Sequence, residues 1–350
     1  MAFELVRHGK VKDFFVDRGN APTDYRFGTG KMGWYEDKYS LFDYGRFPQE
    51  IPGKADAMYK ETVHFFDLLN EEGIPNHFVN DMGNNEVMVR VARIPPNYGW
   101  IKPGETGIYL IPIEVVFSQY VTPVASLHGR LRSGKVRPED YGLDHAPGKD
   151  ETIVLDKPRV TMSTKIETVD RYESEIGKDL GELAGLVGNE KDRLREIALV
   201  TYDTIKRDAE DVGIIVADGK IECLMGPGRN IYVGDSCLTW DENRLLHMLP
   251  DGRYVDLSKQ FPRNIYTING YKAQLKEAQK EFPEDKSKWP NPPLLSDEQL
   301  GLVAEANAAV RKSLLREREG PEIKKTARKV QNELDRLMDR YKRDVTGELI

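Results

Sequence analysis

Cysteine is nearly absent, with two in 350 residues. So few do not suggest a disulfide framework. The six histidines are scattered, and no Cys/His spacing resembles a zinc site. Long apolar runs are missing too. No segment approaches the roughly 18 apolar residues of a membrane-spanning helix. The first residues are charged from Glu4 onward and hold no apolar core of a secretory signal. Positive charge is not in excess: 51 Lys and Arg stand against 58 Asp and Glu, a net charge of -7. Nonspecific nucleic-acid binding needs a basic face, so this balance argues against it. There is no internal repeat. These absences point to a globular chain with a reducing cytoplasm as its expected compartment, and with neither membrane nor nucleic acid as partner.

What is present suits that class. Charged residues make up 31% and hydrophobic residues 39% of a chain long enough for one large or two medium domains. The most informative stretch is residues 213–244. Residues 214–223 alternate, Gly226-Pro227-Gly228-Arg229-Asn230 is rich in turn formers, and residues 231–237 read as a returning strand. Asp218, Lys220 and Glu222 share one face of the first strand, with Ile215, Ala217 and Ile221 on the other. A turn near Gly228 sets Asp235 roughly opposite Glu222, with Cβ atoms about 5 Å apart. Carboxylates that close repel, so Lys220 or a divalent cation is expected between them. A solvated charged face on an edge hairpin is the competing reading. In this register Cys223 and Cys237 point to opposite faces, against a bridge.

Other stretches carry weaker signals. Residues 4–16 read as two short strands around Arg7-His8-Gly9-Lys10-Val11-Lys12-Asp13, where a glycine and alternating lysines can face phosphate. Residues 27–33 match G-x-G-x-x-G, but no helix pattern follows, so we read a hairpin tip rather than a dinucleotide site. Residues 76–93 and 107–117 read as strands either side of a Pro/Gly-rich seam, and 109–120 as buried strand. Residues 123–160 read as irregular. Helix is expected over 55–70, 176–187, 189–212, near 269–282, and from 296 to about 345, where Ser296 opens a capping box. The mixed charges of 311–343 are most simply a solvated helix face.

The order of the polar blocks is more telling than any one of them. Gly9-Lys10-Val11-Lys12-Asp13, Asp37-Lys38-Tyr39-Ser40-Leu41-Phe42-Asp43 and Ile51-Pro52-Gly53-Lys54 resemble the GKxKD, DRxSxFD and IPGKG blocks of the SAICAR synthetase family. Pro112-Ile113-Glu114-Val115-Val116 is similar to its PxEVVVR strand, and Ser163-Thr164-Lys165-Ile166-Glu167 to its (A/S)TKxE segment. Ala217-Asp218-Gly219-Lys220-Ile221-Glu222 resembles (V/A)DxKxEFG. Asp235 through Asp241 and Arg244 resembles DExLTPDSSRxW, and Ser258-Lys259-Gln260-Phe261-Pro262-Arg263 resembles DKQxxRD. The blocks cover about residues 5–265 in the family's order; the tail after about 285 lies outside them.

The resemblance implies an α+β, two-lobed fold with antiparallel sheets and an ATP cleft between lobes. It places a β-rich N-terminal lobe at residues 1–106, a C-terminal ATP, Mg²⁺ and substrate lobe at 107–285, and a linker with extra C-terminal helices at 286–350. It implies an ATP-dependent, ADP-forming ligase that joins an imidazole ribotide carboxylate to L-aspartate through an acyl phosphate. ATP and Mg²⁺ are the implied cofactors. Gly9, Lys10, Lys12, Lys165 and Glu167 would face ATP, and Glu222 and Asp235 would hold Mg²⁺. Lys220, Asp241 and Arg244 are the catalytic candidates. Ser126, Arg130, Asp218, Lys259 and Arg263, with Arg244, are candidates for binding the substrates. The family often forms dimers or larger assemblies, so a homo-oligomer is expected.

Departures cluster at one end. The arginine ending PxEVVVR is replaced by Phe117-Ser118, and Ser126 and Arg130 stand near the family's serine and basic residue only with a two-residue shift. The acid after Asp235 becomes Ser236, the proline before Asp241 becomes Trp240, and the His-Asp after TKxE becomes Asp170-Arg171. Two alternatives to the family's own reaction therefore remain: ligation of a different carboxylate or amine, and a nonenzymatic nucleotide-binding scaffold.

Overall fold

A computed structural model describes residues 1–105, 107–167, 171–176, 179–236 and 239–347, with side chains to residue 342. Cys237 and Asp170, and with them the expected orientation of the Cys237 side chain, lie outside the described residues.

The N-terminal part is built on a five-stranded antiparallel sheet. β1 (Phe3–His8) and β2 (Asp13–Asp17) flank the expected polar turn. Gly9 closes that turn by donating its N–H to Lys12 O at 3.0 Å, and a Cβ there would stand 2.2 Å from the same oxygen. β3 (Gly28–Gly33) lies between β2 and a later strand, so residues 27–33 are central strand and not a hairpin tip. A Cβ on Gly30 would stand 2.5 Å from Phe15 O, so its glycine serves close strand packing. β4 (Lys38–Leu41) and β5 (Gly45–Glu50) form a separate two-stranded sheet. α1 (Lys54–Glu71) follows and buries Met58, Phe65, Phe66 and Leu69. β6 (Phe78–Gly83) and β7 (Glu86–Val91) complete the first sheet in the order β1-β2-β3-β7-β6. The single strand expected over 76–93 is thus a hairpin. Its turn residues Asn84 and Asn85 have φ of 53° and 60°, the left-handed pair that a tight two-residue turn needs.

The second sheet holds β8 (Tyr109–Val121), β9 (Ile153–Thr164), β10 (Ile215–Met225), β11 (Ile231–Gly234), β12 (Arg244–Met248) and β13 (Tyr254–Asp256). Its order is β13-β12-β10-β8-β9, with β11 also paired to β10. The expected hairpin at residues 213–244 is β10 and β11, with Met225 opposite Ile231. Residues 123–160 are more regular than expected, holding α2 (Ser126–Arg132) and most of β9. β9 carries Pro158, which is tolerated because β9 is the sheet's edge. α3 (Leu180–Leu183) is shorter than the helix expected over 176–187, while α4 (Glu190–Glu210) matches its expected span.

α5 (Gln260–Ile268) and α6 (Tyr271–Glu281) replace the one helix expected near 269–282, with Gly270 at φ 84° between them. The long helical pattern beyond 296 is α7 (Asp297–Leu314), which carries the expected Ser296–Gln299 capping box, and α8 (Ile323–Gly347). Gly320-Pro321 breaks the run between them. α7 lies on α1, where Arg311 meets Asp56 at 2.8 Å, and α8 lies on α5 and β13. Val303, Ala306, Val310, Leu314 and Val330 belong to the same core as both sheets, so the charges of this tail are the outer face of core helices. Among the described residues no helix is long and apolar enough to cross a membrane.

Candidate active site

β10 is paired unevenly, and this opens the cleft. Residues 218–225 pair with β8 along one edge. Along the other edge β12 takes residues 215–218 and β11 takes 222–225, leaving 219–221 open. Asn243, just before β12, comes against this opening. Gly219 permits the approach, since a Cβ there would stand 2.2 Å from Asn243 Nδ2 and 2.7 Å from the Phe117 ring. Two cavities result and share Lys220 and Glu242 in their walls.

The smaller cavity is lined by Glu222, Asp235 and Ser236 besides the shared pair. Glu222 pairs in register with Gly234, which puts Asp235 one residue past the opposite position. Asp235 adopts φ 60°. The cations that meet this pair are not the expected one. Lys165, at the end of β9, contacts Glu222, and Lys12 reaches across from the first sheet to stand 2.5 Å from Asp235 Oδ1 while bonding Ser236 Oγ. Lys220 instead lies 2.7 Å from Glu114 and 3.6 Å from Glu242. Burial opposes the charge on Lys220, but Glu242 and Glu114 outweigh it and hold the ammonium well above its usual range. Burial, then Asp235, raises the Glu222 carboxyl. For Asp235 burial is outweighed by Lys12 and Lys165, and its carboxyl is lowered. Burial pushes His77 down to about 4, so its ring is neutral, and its Nε2 lies 3.0 Å from the Asp235 carbonyl oxygen.

The remaining candidates at this end are placed unequally. Gly9 and exposed Lys10 form the β1–β2 turn beside Lys12. Glu167 lines neither cavity; it accepts a bidentate pair from Arg171 at 2.8 and 2.6 Å.

The larger cavity, of about 230 Å³, is walled by Ser118, Ser126, Arg130, Asp218, Arg244 and Arg263 among others. Arg244 meets Asp218 at 2.5 Å. Ser126 Oγ accepts from Tyr172 Oη at 2.6 Å, and the Arg130 guanidinium stacks 3.9 Å from that ring's centre while donating to Ser174 Oγ at 2.8 Å. Arg263 has no carboxylate within ion-pair distance among the described residues, and burial and then the charge of Arg244 pull its guanidinium below its usual range. Asp241 reaches the wall but is 2% exposed, held by Lys54 of α1 at 2.9 Å and by Lys259 at 3.8 Å. Its burial makes it a holder of Lys259 rather than an open catalytic group. Next to it, Trp240 N–H donates at 2.8 Å to Glu61, whose fully buried carboxyl is pushed up to about 8 by that burial.

Four participants were not named as site residues from the sequence. Glu114 and Lys54 lie inside the PIEVV and IPGK blocks, so the signal was present. Glu61 looks like one more polar position of an amphipathic helix, and Glu242 like loop polarity.

Comparison with known proteins follows the same lines. A family model described as SAICAR synthetase matches residues 5–278. A phosphoribosylaminoimidazole-succinocarboxamide synthase of Thermoplasma acidophilum is 32% identical over 277 residues, covering 79% of this chain and 87% of the relative. A putative one of Archaeoglobus fulgidus is 32% identical over 274 residues, covering 74% and 78%. Among solved structures, the Saccharomyces cerevisiae SAICAR synthase complexed with SAICAR superposes with a TM-score of 0.63 at 21% identity, over 91% of this chain and 96% of that one. A type-2 SAICAR synthetase in complex with ADP gives 0.58 at 21% identity, over 91% and 100%.

Proposed function

The chain belongs to the SAICAR synthetase family, and from that premise we propose that its cleft joins the carboxylate of carboxyaminoimidazole ribotide to the amine of L-aspartate. The reaction is an ATP-dependent, ADP-forming ligation of purine biosynthesis. One observation carries the reading. A carboxylate pair, Glu222 and Asp235, faced by lysines from two different sheets, adjoins a cavity whose wall has five cations (Arg130, Lys220, Arg244, Lys259, Arg263) against three carboxylates (Asp218, Asp241, Glu242). That is the charge pattern for a nucleotide's phosphates beside an anionic acceptor.

The pair also fits a divalent cation. Two hard oxygen donors, with no group of three metal-ligating side chains around them among the described residues, suit Mg²⁺, which takes its other ligands from phosphate and water. When bound, the ion supplies neutralisation of phosphate charge. Lys12 and Lys165 would contribute ammonium donors to phosphate oxygens, and Lys10 a further exposed charge. Lys220 keeps its proton and is a fixed cation where the acceptor carboxylate meets the nucleotide. Arg263 and Arg244 present donor forks to the ribotide's anionic groups. Asp241 and Lys54 hold Lys259 in place.

The carboxylate oxygen attacks the terminal phosphorus and ADP leaves. The amine then attacks the acyl carbon and phosphate leaves. No side chain serves as a covalent nucleophile. The test is ADP and product formation by the purified protein with ATP, Mg²⁺, the ribotide and L-aspartate. SAICAR formed in step with ADP is expected. Turnover only with another amine or heterocyclic carboxylate would replace the acceptor, and no ATP binding or turnover with any pair would leave a scaffold.

A further inference from the structure

Five carboxylates line the two cavities, and four have a cation within 2.9 Å. Arg244 holds Asp218 at 2.5 Å, Lys12 holds Asp235 at 2.5 Å, Lys54 holds Asp241 at 2.9 Å, and Lys165 holds Glu222. Glu242 is the fifth. Its side chain accepts no hydrogen bond among the described residues, and its nearest cation, Lys220, stands 3.6 Å away. It lines both cavities and is 19% exposed, so a substrate at their junction can touch it.

The neighbouring residue points the same way. Asn243 lines the larger cavity and is 4% exposed, yet neither its Nδ2 nor its Oδ1 has a hydrogen-bond partner among the described residues. A buried amide left without partners costs on the order of 1–3 kcal/mol, which a ligand group would offset. The pattern DExLTPDSSRxW has Ser-Ser where this chain has Glu242-Asn243, and an acid where it has Ser236. The negative charge missing beside Asp235 is thus found again on the acceptor side.

Chemistry gives that charge a task. L-Aspartate arrives as an ammonium ion, and only its neutral amine can attack an acyl carbon. The proton needs a nearby carboxylate that is not already hydrogen-bonded to a cation. Resting on the ligase reading above, we propose that Glu242 is the catalytic base for the amino-acid acceptor, with Asn243 binding the same molecule through its unpaired amide. Glu242 takes one proton from the ammonium group. The freed amine forms the C–N bond as the C–O bond to phosphate breaks. Phosphate departs with that electron pair and carries away the second amine proton.

Hydroxylamine separates this role from a structural one, because it is largely neutral near pH 7 and needs no base to attack an acyl phosphate. Glu242→Gln is expected to lose about 10²–10⁴-fold in kcat/KM for L-aspartate, while hydroxamate formation with the ribotide, ATP and hydroxylamine stays near the wild-type rate. Equal losses with both acceptors, or unchanged aspartate kinetics, would overturn the assignment. Glu242→Ser, which restores the residue of the family pattern, is expected to show the same split and replaces the Gln variant if that one fails to fold. Wild-type turnover with the ribotide and aspartate is the control: its absence overturns the ligase reading itself, and this role with it.

Discussion

At the proposed phosphate end of the cleft Glu222 and Asp235 each have a lysine of their own, whereas at the proposed acceptor end cations outnumber carboxylates and Arg263 has no carboxylate within ion-pair distance among the described residues. The first arrangement, two carboxylates against two lysines, is close to neutral, and in the proposed reading its side chains would exchange a carboxylate contact for a phosphate or metal contact. The second holds excess positive charge, which favours entry of an anion and makes its geometry depend on which anion comes. Sequence departures divide the same way. Lys12 of GKVKD, Lys165 of STKIE and Glu222 of DGKIE meet at the proposed phosphate end, while Ser118, Ser236, Trp240, Glu242 and Asn243 replace family residues mostly around the proposed acceptor. A site that handles a fixed reagent tolerates little change, and a site that reads a particular acceptor is where a family can vary.

The largest effect should come from the phosphate end. Asp235→Asn removes half of the carboxylate pair, and several kcal/mol of charge stabilisation correspond to a fall of roughly 10³-fold in kcat. The thermal midpoint should be little changed, and a variant of near-normal turnover would show that the two ends do not differ as described. At the acceptor end, Arg263→Ala should raise KM for the ribotide by about 10–100-fold, the worth of a hydrogen bond to a charged group. It should leave KM for ATP unchanged, and a parallel rise for ATP would erase the distinction between the ends.

A third effect, on stability rather than turnover, concerns Glu61, which accepts from Trp240 N–H beside Asp241. Its folded carboxyl is raised from 4.5 to about 8, so the folded state holds a proton that the unfolded state has released. That contribution is fully present below pH 4.5 and is lost as pH rises through 8. Each unit of pH in that window costs at most about 1.4 kcal/mol. Glu61→Gln should therefore gain on wild type in thermal midpoint as pH rises from 5 to 8. A variant that loses ground to wild type as pH rises from 5 to 8 would contradict the assignment.

Much of this was legible in the sequence, and for a physical reason in each case. The β10–β11 hairpin was readable because period-two alternation and a Gly-Pro-Gly turn coincide there, and Asp235 fell within one residue of its expected place. α1 and α4 were readable from long apolar periodicity. β9 was hidden by its proline and charges, which an edge strand accommodates, and the β6–β7 hairpin by a turn without glycine at its centre. Which lysine faces which carboxylate was not readable. Lys12 and Asp235 are 223 positions apart, and pairing across that distance depends on how two sheets meet. Glu242 gave no signal because one more acid in a polar loop is unremarkable until its neighbours are all seen to be paired.

In the proposed reaction this cleft activates a carboxylate by joining it to phosphate. The most direct test of that step is turnover of ribotide whose carboxylate carries a heavy-oxygen label in both positions, with the released inorganic phosphate examined by ³¹P NMR. An acyl phosphate requires one labelled oxygen per turnover in the phosphate. Unlabelled phosphate, with both labels still on carbon or lost to water, would contradict the account.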